Sequence, residues 1–343
     1  MKNMLPRSIG RTVVNLCLIV FITHVSVNAQ TDPSEIEKYK KDNQEMSRLI
    51  RKGDLKEAKK MAAELCSVAE KVFGPGDRET GIAYKNAGEI SRGKEDYSDA
   101  YEYLSRAIDI FQKGDKNGSN ADMIAKSASS LGFVLAKQGK EDQAGEMYKL
   151  AIAKAVVAFG EDSAELIQIR REYVLFKVLI KDYEGADKQF AELYTATAKV
   201  FPDQEDLLTR IDDDYICTVG LNTSFGLGSD DSEFFAAKKA IRSKDIADEG
   251  KTVETGVVNG KALSLARPEM NPGMASRLTG RAEVVVRIVI GKEGNVNRAW
   301  AICGPGFLHG SSVDAARRSR FRPTLLNGEP VEVSGVIVYN YRR

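Results

Sequence analysis

Residues 281–290 carry the sequence RAEVVVRIVI, and this stretch decides the fold of the C-terminal part of the chain. Every even-numbered residue in it is apolar, whereas Arg281, Glu283 and Arg287 lie at odd-numbered positions. Because the side chains of a strand alternate between its two faces, the pattern predicts a half-buried antiparallel strand. The segment GKEGN at 291–295 then predicts a short hairpin loop that leads into a second strand at 296–302.

The rest of this region supplies a helix and a final strand. The breaker GPG at 304–306 ends the second strand, and a serine at 311 or 312 can cap a short helix. Asn327-Gly328 is the strongest hairpin dipeptide in the chain. The last strand is predicted to place these residues on one face: Val331, Val333, Ile337, Tyr339 and Tyr341. The elements together predict one small sheet that carries one helix.

This ordered set of elements resembles the C-terminal domain of TonB-type energy transducers. The resemblance covers residues 256–343 and implies a small α+β domain with an antiparallel sheet. It rests on these segments: the lead-in from Val258 to Pro272, the strand at 281–290, GKEGNV at 291–296, AAR at 315–317, FRPT at 321–324, NGEPV at 327–331 and IVYNY at 337–341.

The resemblance also implies a partner and a mode of binding. In the family, a short N-terminal segment of an outer-membrane transporter adds as a strand to the last strand, here about Val331 to Tyr341, and also meets the lead-in. We therefore expect the partners to be peptides of outer-membrane TonB-dependent transporters or of other envelope proteins. The residues expected to bind them are Arg267, Pro268, Met270, Val333, Ile337, Tyr339 and Tyr341. The lead-in departs from the family at Asn271-Pro272, where a Tyr-Pro pair is usual.

The first 29 residues are predicted to be a secretory signal peptide. An apolar run at 13–25 follows three basic residues, and Val27-Asn-Ala29 is typical of a cleavage site. The run holds 13 residues, fewer than the ~20 that span a hydrocarbon core. We therefore expect a periplasmic protein exported through a cleaved signal peptide. The alternative is an uncleaved inner-membrane anchor from about Ile9 to Val27, which would couple the protein to inner-membrane motor proteins as in TonB-type transducers.

Residues 33–201 are predicted to form helical repeats. The phrase GDLKEA at 53–58 returns as EDYSDA at 95–100, GKEDQA at 139–144 and KDYEGA at 181–186. The final alanines of these phrases are 42, 44 and 42 residues apart, and a period of this size indicates stacked helical units. The pattern resembles a tetratricopeptide array, which implies an all-α solenoid with a concave groove for protein partners. The alternative is a spacer that has no ligand of its own.

Residues 202–255 are predicted to be a linker between the repeats and the C-terminal domain. This stretch contains Asp212-Asp-Asp214 and a glycine-rich segment, and only 234–244 has the pattern of a short helix. Clustered carboxylates in a polar linker are usually solvated, so we expect this run in water rather than around a cation. The predicted order is a signal peptide at 1–29, repeats at 33–201, the linker at 202–255 and the TonB-like domain at 256–343.

No catalytic, cofactor-binding or metal-binding pattern follows the signal peptide in the sequence. His309 is the one histidine left there, so it has no partner for a metal pair, and no nucleophile has a neighbouring base. Three cysteines remain, Cys66, Cys217 and Cys303, without metal-like spacing, and their odd number leaves at least one free or intermolecular. Cys66 lies in an apolar helical pattern and is predicted to be a core residue. We therefore expect no enzymatic activity and no cofactor.

The charge of the chain is unevenly distributed. The formal net charge is only +1, but the part from Val257 onward carries 13 Lys or Arg against 6 Asp or Glu, a balance of +7. A basic domain suits an anionic partner, although a solvated helix face explains the charge equally well. The four arginines between 317 and 322 cannot share one face of a helix, so nucleic acid is not an expected partner.

These patterns favour a non-enzymatic envelope protein with two binding parts. Its TonB-like domain would bind extended peptides by strand addition, and its helical repeats would act as a protein-interaction scaffold. The alternative is a membrane-anchored TonB-type energy transducer that powers transport across the outer membrane. The chain lacks the long proline-rich rod of such transducers, since its 9 prolines are scattered.

Overall fold

The computed structural model describes residues 32–222, 231–245, 253–258 and 262–342. The chain divides into two compact units, one that ends at Asp182 and one that begins at Tyr183. The predicted signal peptide at 1–29 lies outside the described residues.

Seven helices form the described part of the first unit, residues 32–182. They are α1 Pro33–Lys52, α2 Leu55–Phe73, α3 Arg78–Gly93, α4 Tyr97–Lys113, α5 Ala121–Lys137, α6 Glu141–Phe159 and α7 Ala164–Leu179. Each helix packs on the next one, and the buried side chains form a core that runs along the array. The predicted helical solenoid is therefore confirmed.

The repeated phrase of the sequence marks the tight turn inside each helix pair. Its first residue has a positive φ at all four occurrences: Gly53 (80°), Glu95 (63°), Gly139 (74°) and Lys181 (61°). Its last residue in the first unit is a fully buried alanine, namely Ala58, Ala100 and Ala144. The period arises because each pair needs a left-handed turn residue and then a side chain small enough for close helix packing.

Two glycines allow the paired helices to approach each other. A Cβ atom at Gly88 would lie 2.6 Å from Cγ of Leu104, and one at Gly132 would lie 3.0 Å from the ring of Tyr148. Both positions therefore exclude larger side chains, as the small position of a tetratricopeptide pattern requires. Cys66 is buried in the core of α2, in agreement with the sequence prediction.

The second unit begins with helices that enclose an aromatic core. These are α8 Tyr183–Val200, α9 Glu205–Tyr215 with a π-helical turn at Ile216–Gly220, and α10 Glu233–Asp245. Tyr215 stacks on Phe234 with ring centroids 4.1 Å apart, and its hydroxyl donates a hydrogen bond to buried Asp187 at 2.7 Å. We expected no regular structure at 202–233, so α9 and the π-helical turn are a correction. They form because apolar residues of this segment pack on α8 and on the sheet that follows.

The remaining elements of the second unit form a small α+β domain. They are β1 Val253–Val257, β2 Ala262–Ser264, α11 Pro272–Arg277, β3 Arg281–Ile290, β4 Val296–Cys303, α12 Gly306–Arg318, β5 Arg320–Phe321, β6 Thr324–Leu326, β7 Glu329–Val331 and β8 Val333–Arg342. The main sheet has the order β1-β8-β3-β4. β3 is antiparallel to β4 and β8, whereas β1 is parallel to β8. The predicted α+β class with an antiparallel sheet is confirmed, with β1 as a parallel addition.

Two local predictions in this domain have different outcomes. The Asn327-Gly328 hairpin is confirmed, because β6 and β7 pair across it and both residues have positive φ, 53° and 88°. The helix start at Ser311 or Ser312 is wrong, since α12 begins at Gly306. The Ser312 hydroxyl instead donates to the carbonyl of Leu308 inside the helix and lies 2.7 Å from the Tyr341 hydroxyl.

Candidate partner-binding edge

The last strand, β8, is held in the sheet by β3 along its whole length. Ten consecutive residue pairs join the two strands, from Arg281 with Arg342 to Ile290 with Val333. The four β8 residues predicted to bind a partner have side chains that are buried in the core beside α12: Val333, Ile337, Tyr339 and Tyr341. These side chains are therefore unavailable to a partner that adds at the edge of the sheet.

Other residues of β8 direct their peptide groups to the outer edge of the sheet. The carbonyl of Val336 accepts a hydrogen bond from the backbone N–H of Val258 at 3.0 Å, so the peptide groups of Val336 point away from β3. In a regular strand, alternate residues point to the same edge. Val338, Asn340 and Arg342 therefore also direct their N–H and C=O groups to this outer edge. The four β8 residues predicted to bind a partner have odd numbers, and they direct their N–H and C=O groups to β3.

The outer edge of β8 is covered over only part of its length. β1 pairs with its first residues, from Val253 with Val333 to Val257 with Val336. Within the described part of the chain, no strand pairs with Asn340 or Arg342 at this edge. Asn340 and Arg342 thus form a free edge, a name that we keep for these two residues. These residues have even numbers, and this alternation along the strand is the signal in the sequence that could have located them.

The lead-in residues lie apart from the free edge, against α12. The backbone N–H of Ala266 donates to the Ser319 hydroxyl at 3.1 Å, and the Ser311 hydroxyl donates to the carbonyl of Glu269. Arg267 is exposed, Pro268 is half-buried and Met270 is 39% exposed. The structure therefore groups these three predicted residues on the surface of α12, whereas the four predicted β8 side chains lie in the core.

The sequence of this domain matches a known family. Residues 272–342 match the family model of the Gram-negative bacterial TonB protein C-terminal. This family belongs to the periplasm of Gram-negative bacteria, and its partners are in general envelope proteins. We therefore refer to the α+β part of the second unit as the TonB-like domain.

Solved structures of helical repeats are similar to a larger part of the chain. Two are TPR-like repeats of a kinesin light chain from Podosopora anserina, each 12% identical with a TM-score of 0.48, covering 62% of this chain and 97% and 98% of theirs. Another is BtubC (BKLC) from P. vanneervenii, 14% identical with a TM-score of 0.47, covering 65% of this chain and 93% of its own. No curated protein matches the sequence. The assignment of helical repeats rests on the helices themselves.

A buried ion cluster holds α9 on the second face of the TonB-like sheet. Arg287 of β3 is only 3% exposed, and its guanidinium donates to Asp212 and Asp213 at 2.5 Å each. Lys238 of α10 also donates to Asp212 at 2.7 Å. The expectation that this aspartate run is solvated is therefore wrong for Asp212. Asp212 is buried because β3 supplies a cation to pair with it.

Burial and ion pairing act in opposite directions on the two carboxylates. Burial alone would raise the pKa of Asp212, but Lys238 and Arg287 outweigh it and hold this pKa below its usual value. For Asp213, burial prevails over the attraction of Arg287 and raises the pKa to about 6. The cluster therefore keeps Asp212 charged across the physiological range, whereas Asp213 titrates close to it.

A disulfide and an apolar contact also hold the π-helical turn on this face. Cys217 of the π-helical turn is bonded to Cys303 at the end of β4, with Cα atoms 5.9 Å apart. Ile216 packs beside them against Val285 and Val336 of the sheet. The prediction of a half-buried β3 is therefore wrong, because α12 covers one face of the sheet and α9 with the π-helical turn covers the other.

The described residues contain neither a candidate metal site nor a candidate membrane-spanning helix. Within the ranges given above, no group of three His, Cys, Asp or Glu side chains could hold a metal ion. No helix in the same part of the chain combines the length and the apolar character needed to cross a membrane.

Proposed function

We propose that this chain is a non-enzymatic envelope protein whose TonB-like domain binds extended peptides by strand addition. The partners are segments of outer-membrane TonB-dependent transporters or of other envelope proteins. The observation that carries this proposal is the free edge, because Asn340 and Arg342 present backbone N–H and C=O groups that an added strand can pair with. The match of residues 272–342 to the TonB C-terminal family supports the same class of partner.

The helical repeats serve in this proposal as a scaffold for a second protein. Solenoids of paired helices expose extended surfaces that bind protein partners. The predicted signal peptide supports a periplasmic location, and the alternative of a membrane-anchored energy transducer depends on whether that segment is retained. The mass of the mature protein separates the two, since cleavage after Ala29 releases the chain from the inner membrane.

The free edge can be tested by removing one backbone donor. Asn340 is exposed, and its N–H points away from β3, so Asn340→Pro removes an edge donor without touching the pairing between β3 and β8. The control Asn340→Ala keeps the N–H and loses only the side chain. We expect the proline variant of the full chain to bind a labelled N-terminal transporter peptide at least tenfold more weakly than the alanine variant, as measured by fluorescence anisotropy. Equal affinities would show that the peptide does not pair at this edge.

Proline at Ile337 would be a poor test of the same idea. The N–H of Ile337 points to β3, and its side chain is fully buried in the core. Substitution there removes a hydrogen bond within the sheet and distorts the core, so lost binding would report unfolding. Asn340 avoids this ambiguity because its side chain and its N–H both lie outside the core.

A further inference from the structure

Two helices of the first unit, α3 and α5, run side by side in the same direction. Near their starts, the guanidinium of Arg78 donates to the carboxylate of Asp122 at 3.4 Å. Further along, the Ser130 hydroxyl of α5 donates to the carboxylate of Glu89 on α3. Since the later residue of one helix meets the later residue of the other, these two contacts fix the register of a parallel pair of helices.

Lys85 and Lys126 lie between these two contacts, one on each helix. Lys85 is four residues before Glu89, and Lys126 is four residues before Ser130. Residues four apart share one face of a helix, so the two lysines lie side by side on the surface that α3 and α5 share. Both lysines are half-buried, and we call them the lysine pair.

The direct contacts of the lysine pair are uncharged. Lys85 donates a hydrogen bond to the side-chain oxygen of Asn86 at 3.4 Å. The ammonium of Lys126 lies 5.3 Å from the centre of the Phe159 ring. In the part of the chain that the structure describes, neither lysine forms an ion pair. Two positive charges are therefore held together without a carboxylate in contact with either.

The carboxylates nearest to the lysine pair are engaged by arginines. Glu89 forms an ion pair with Arg92 at 2.9 Å, and Asp122 forms one with Arg78 at 3.4 Å. Each of these arginines lies on α3, so both pairs belong to the same surface as the lysines. The surface therefore satisfies its carboxylates and leaves its two lysine charges for another anion.

The charge of Lys85 is disfavoured where it stands. Burial lowers its pKa; the carboxylate of Glu89 opposes this effect, and the positive charge of Lys126 adds to it. A negative group placed between the two ammonium groups would remove the repulsion between them. Such a group gains more here than beside an isolated surface lysine, because water screens the charges of a half-buried pair less well.

We propose that the lysine pair is a binding site for a carboxylate group of a partner protein. The proposal rests on the helical repeats as a protein-interaction scaffold and names the chemical group that they recognise. Each ammonium has three N–H donors, so each oxygen of one carboxylate can accept a hydrogen bond from a different lysine. The nearby charges of Glu89 and Asp122 oppose a doubly charged phosphate, which favours a carboxylate. Its source is an Asp or Glu side chain or a C-terminus.

The test uses variants of the full chain that lose one or both charges of the pair. Lys85→Met and Lys126→Met remove the ammonium and keep an unbranched apolar side chain in its place. The control Lys149→Met removes one positive charge from α6, where the side chain is 63% exposed and pairs with Glu146 at 2.8 Å. Binding is followed by NMR of carbon-13 at lysine Cε, and each variant identifies the signal that it loses.

Two probe peptides separate the two sources of a carboxylate. Acetyl-Ala-Ala-Asp-Ala-Ala-amide carries one side-chain carboxylate, and acetyl-tetraalanine with a free C-terminus carries one terminal carboxylate. Their counterparts, with Asn in place of Asp and with an amidated C-terminus, carry none. The peptide that binds identifies the source, and the neutral counterparts should leave both signals unchanged.

We expect a carboxylate peptide to shift the signals of Lys85 and Lys126 together, with one dissociation constant. Binding should be at least tenfold weaker in Lys85→Met and in Lys126→Met, and unchanged in Lys149→Met. No shift with either carboxylate peptide would overturn the proposal. Equal shifts at the exposed lysines and at the lysine pair would also overturn it, since they would show general attraction rather than a site.

Thermal melting separates a binding role from a structural role. Like charges on neighbouring helix positions are destabilising, so removal of either lysine charge should leave the melting temperature of the helices unchanged or raise it. Melting is followed by circular dichroism in the full chain. A clear fall in both single variants, relative to Lys149→Met, would show that these charges support the fold and would count against a site held ready for a ligand.

Cross-linking in an envelope extract distinguishes failure of the inference from failure of the scaffold. Cross-links to residues 33–182 are mapped by mass spectrometry for the wild type and for the variant that combines Lys85→Met with Lys126→Met. A partner cross-linked equally to both chains would retain the scaffold and refute the lysine pair as its site. No partner on either chain, while a carboxylate peptide still binds the lysine pair, would refute the scaffold and retain the site.

Discussion

The substitution Arg287→Met should destabilise the TonB-like domain strongly. The Arg287 side chain is 4% exposed, and its partners Asp212 and Asp213 are 1% and 19% exposed. Methionine fills a similar volume but leaves both carboxylates without the guanidinium. Removing one partner of a buried ion pair costs about 3–5 kcal/mol, because a buried charge is left uncompensated. Lys238 still neutralises Asp212, so we expect a loss near the lower limit, about 3 kcal/mol.

The chain contains a built-in probe for this measurement. Trp300 is its one tryptophan, and it lies directly opposite Arg287 in the β3–β4 pairing. Urea unfolding followed by tryptophan emission therefore reports on the TonB-like sheet rather than on the helical repeats. The measured quantity is the free energy of unfolding from the midpoint and slope of that transition.

Arg298→Met provides a matched control on the neighbouring strand. The Arg298 side chain is 66% exposed, and its nearest carboxylate oxygen, on Glu332, is 3.7 Å away. Exposed pairs of this kind contribute about 0–1 kcal/mol, so the control should stay within 1 kcal/mol of the wild type. A loss below 1 kcal/mol for Arg287→Met would refute the reasoning, since it would show that the buried cluster gives no net support to the domain.

Two further predictions concern other parts of the chain. Because the pKa of Asp213 is raised to about 6 in the folded state and the unfolded value is near 3.8, the folded protein holds the proton more tightly. The contribution of Asp213 to stability should therefore fall by up to about 3 kcal/mol as the pH rises from 4 to 6. The difference in the free energy of unfolding between the wild type and Asp213→Asn, measured in Trp300-monitored urea titrations, should change by that amount over the same range. In the helical repeats, Gly88→Ala places a Cβ 2.6 Å from Leu104 and should cost about 1–3 kcal/mol. The control Gly93→Ala, with nothing within 4 Å, should be neutral or stabilising in thermal melts followed by circular dichroism; equal effects of the two would contradict the packing argument.

Local patterns in the sequence predicted much of the fold. The phrase that begins at Gly53 located the turns of the repeats, because each turn needs a left-handed residue and a nearby alanine. The apolar even-numbered residues of 281–290 located the face of β3 that packs beside α12. Asn327-Gly328 located a hairpin, since both residues adopt positive φ. In each case the deciding interaction lies within a few residues of the pattern or repeats at a fixed period.

The second face of the sheet could not be predicted in the same way. The sequence pattern predicted that Arg287 faces solvent and that Asp212 belongs to a polar linker. In the fold, the two side chains are in contact. They are 75 residues apart in the sequence, and neither local pattern contains a sign of the other. A similarly long separation, 86 residues, is the reason why the disulfide between Cys217 and Cys303 could not be predicted from the sequence. Such pairs become visible only when the tertiary structure is known.

The double cover of the TonB-like sheet has a consequence for the evolution of its partners. With α12 on one face and α9 on the other, little apolar sheet surface is left to select a partner by the shape of its side chains. Recognition at the free edge would then depend mainly on main-chain hydrogen bonds, which every non-proline residue supplies. A partner segment could change most of its sequence and keep its affinity, provided that it stays extended and gains no proline. One such domain could therefore serve several unrelated envelope proteins.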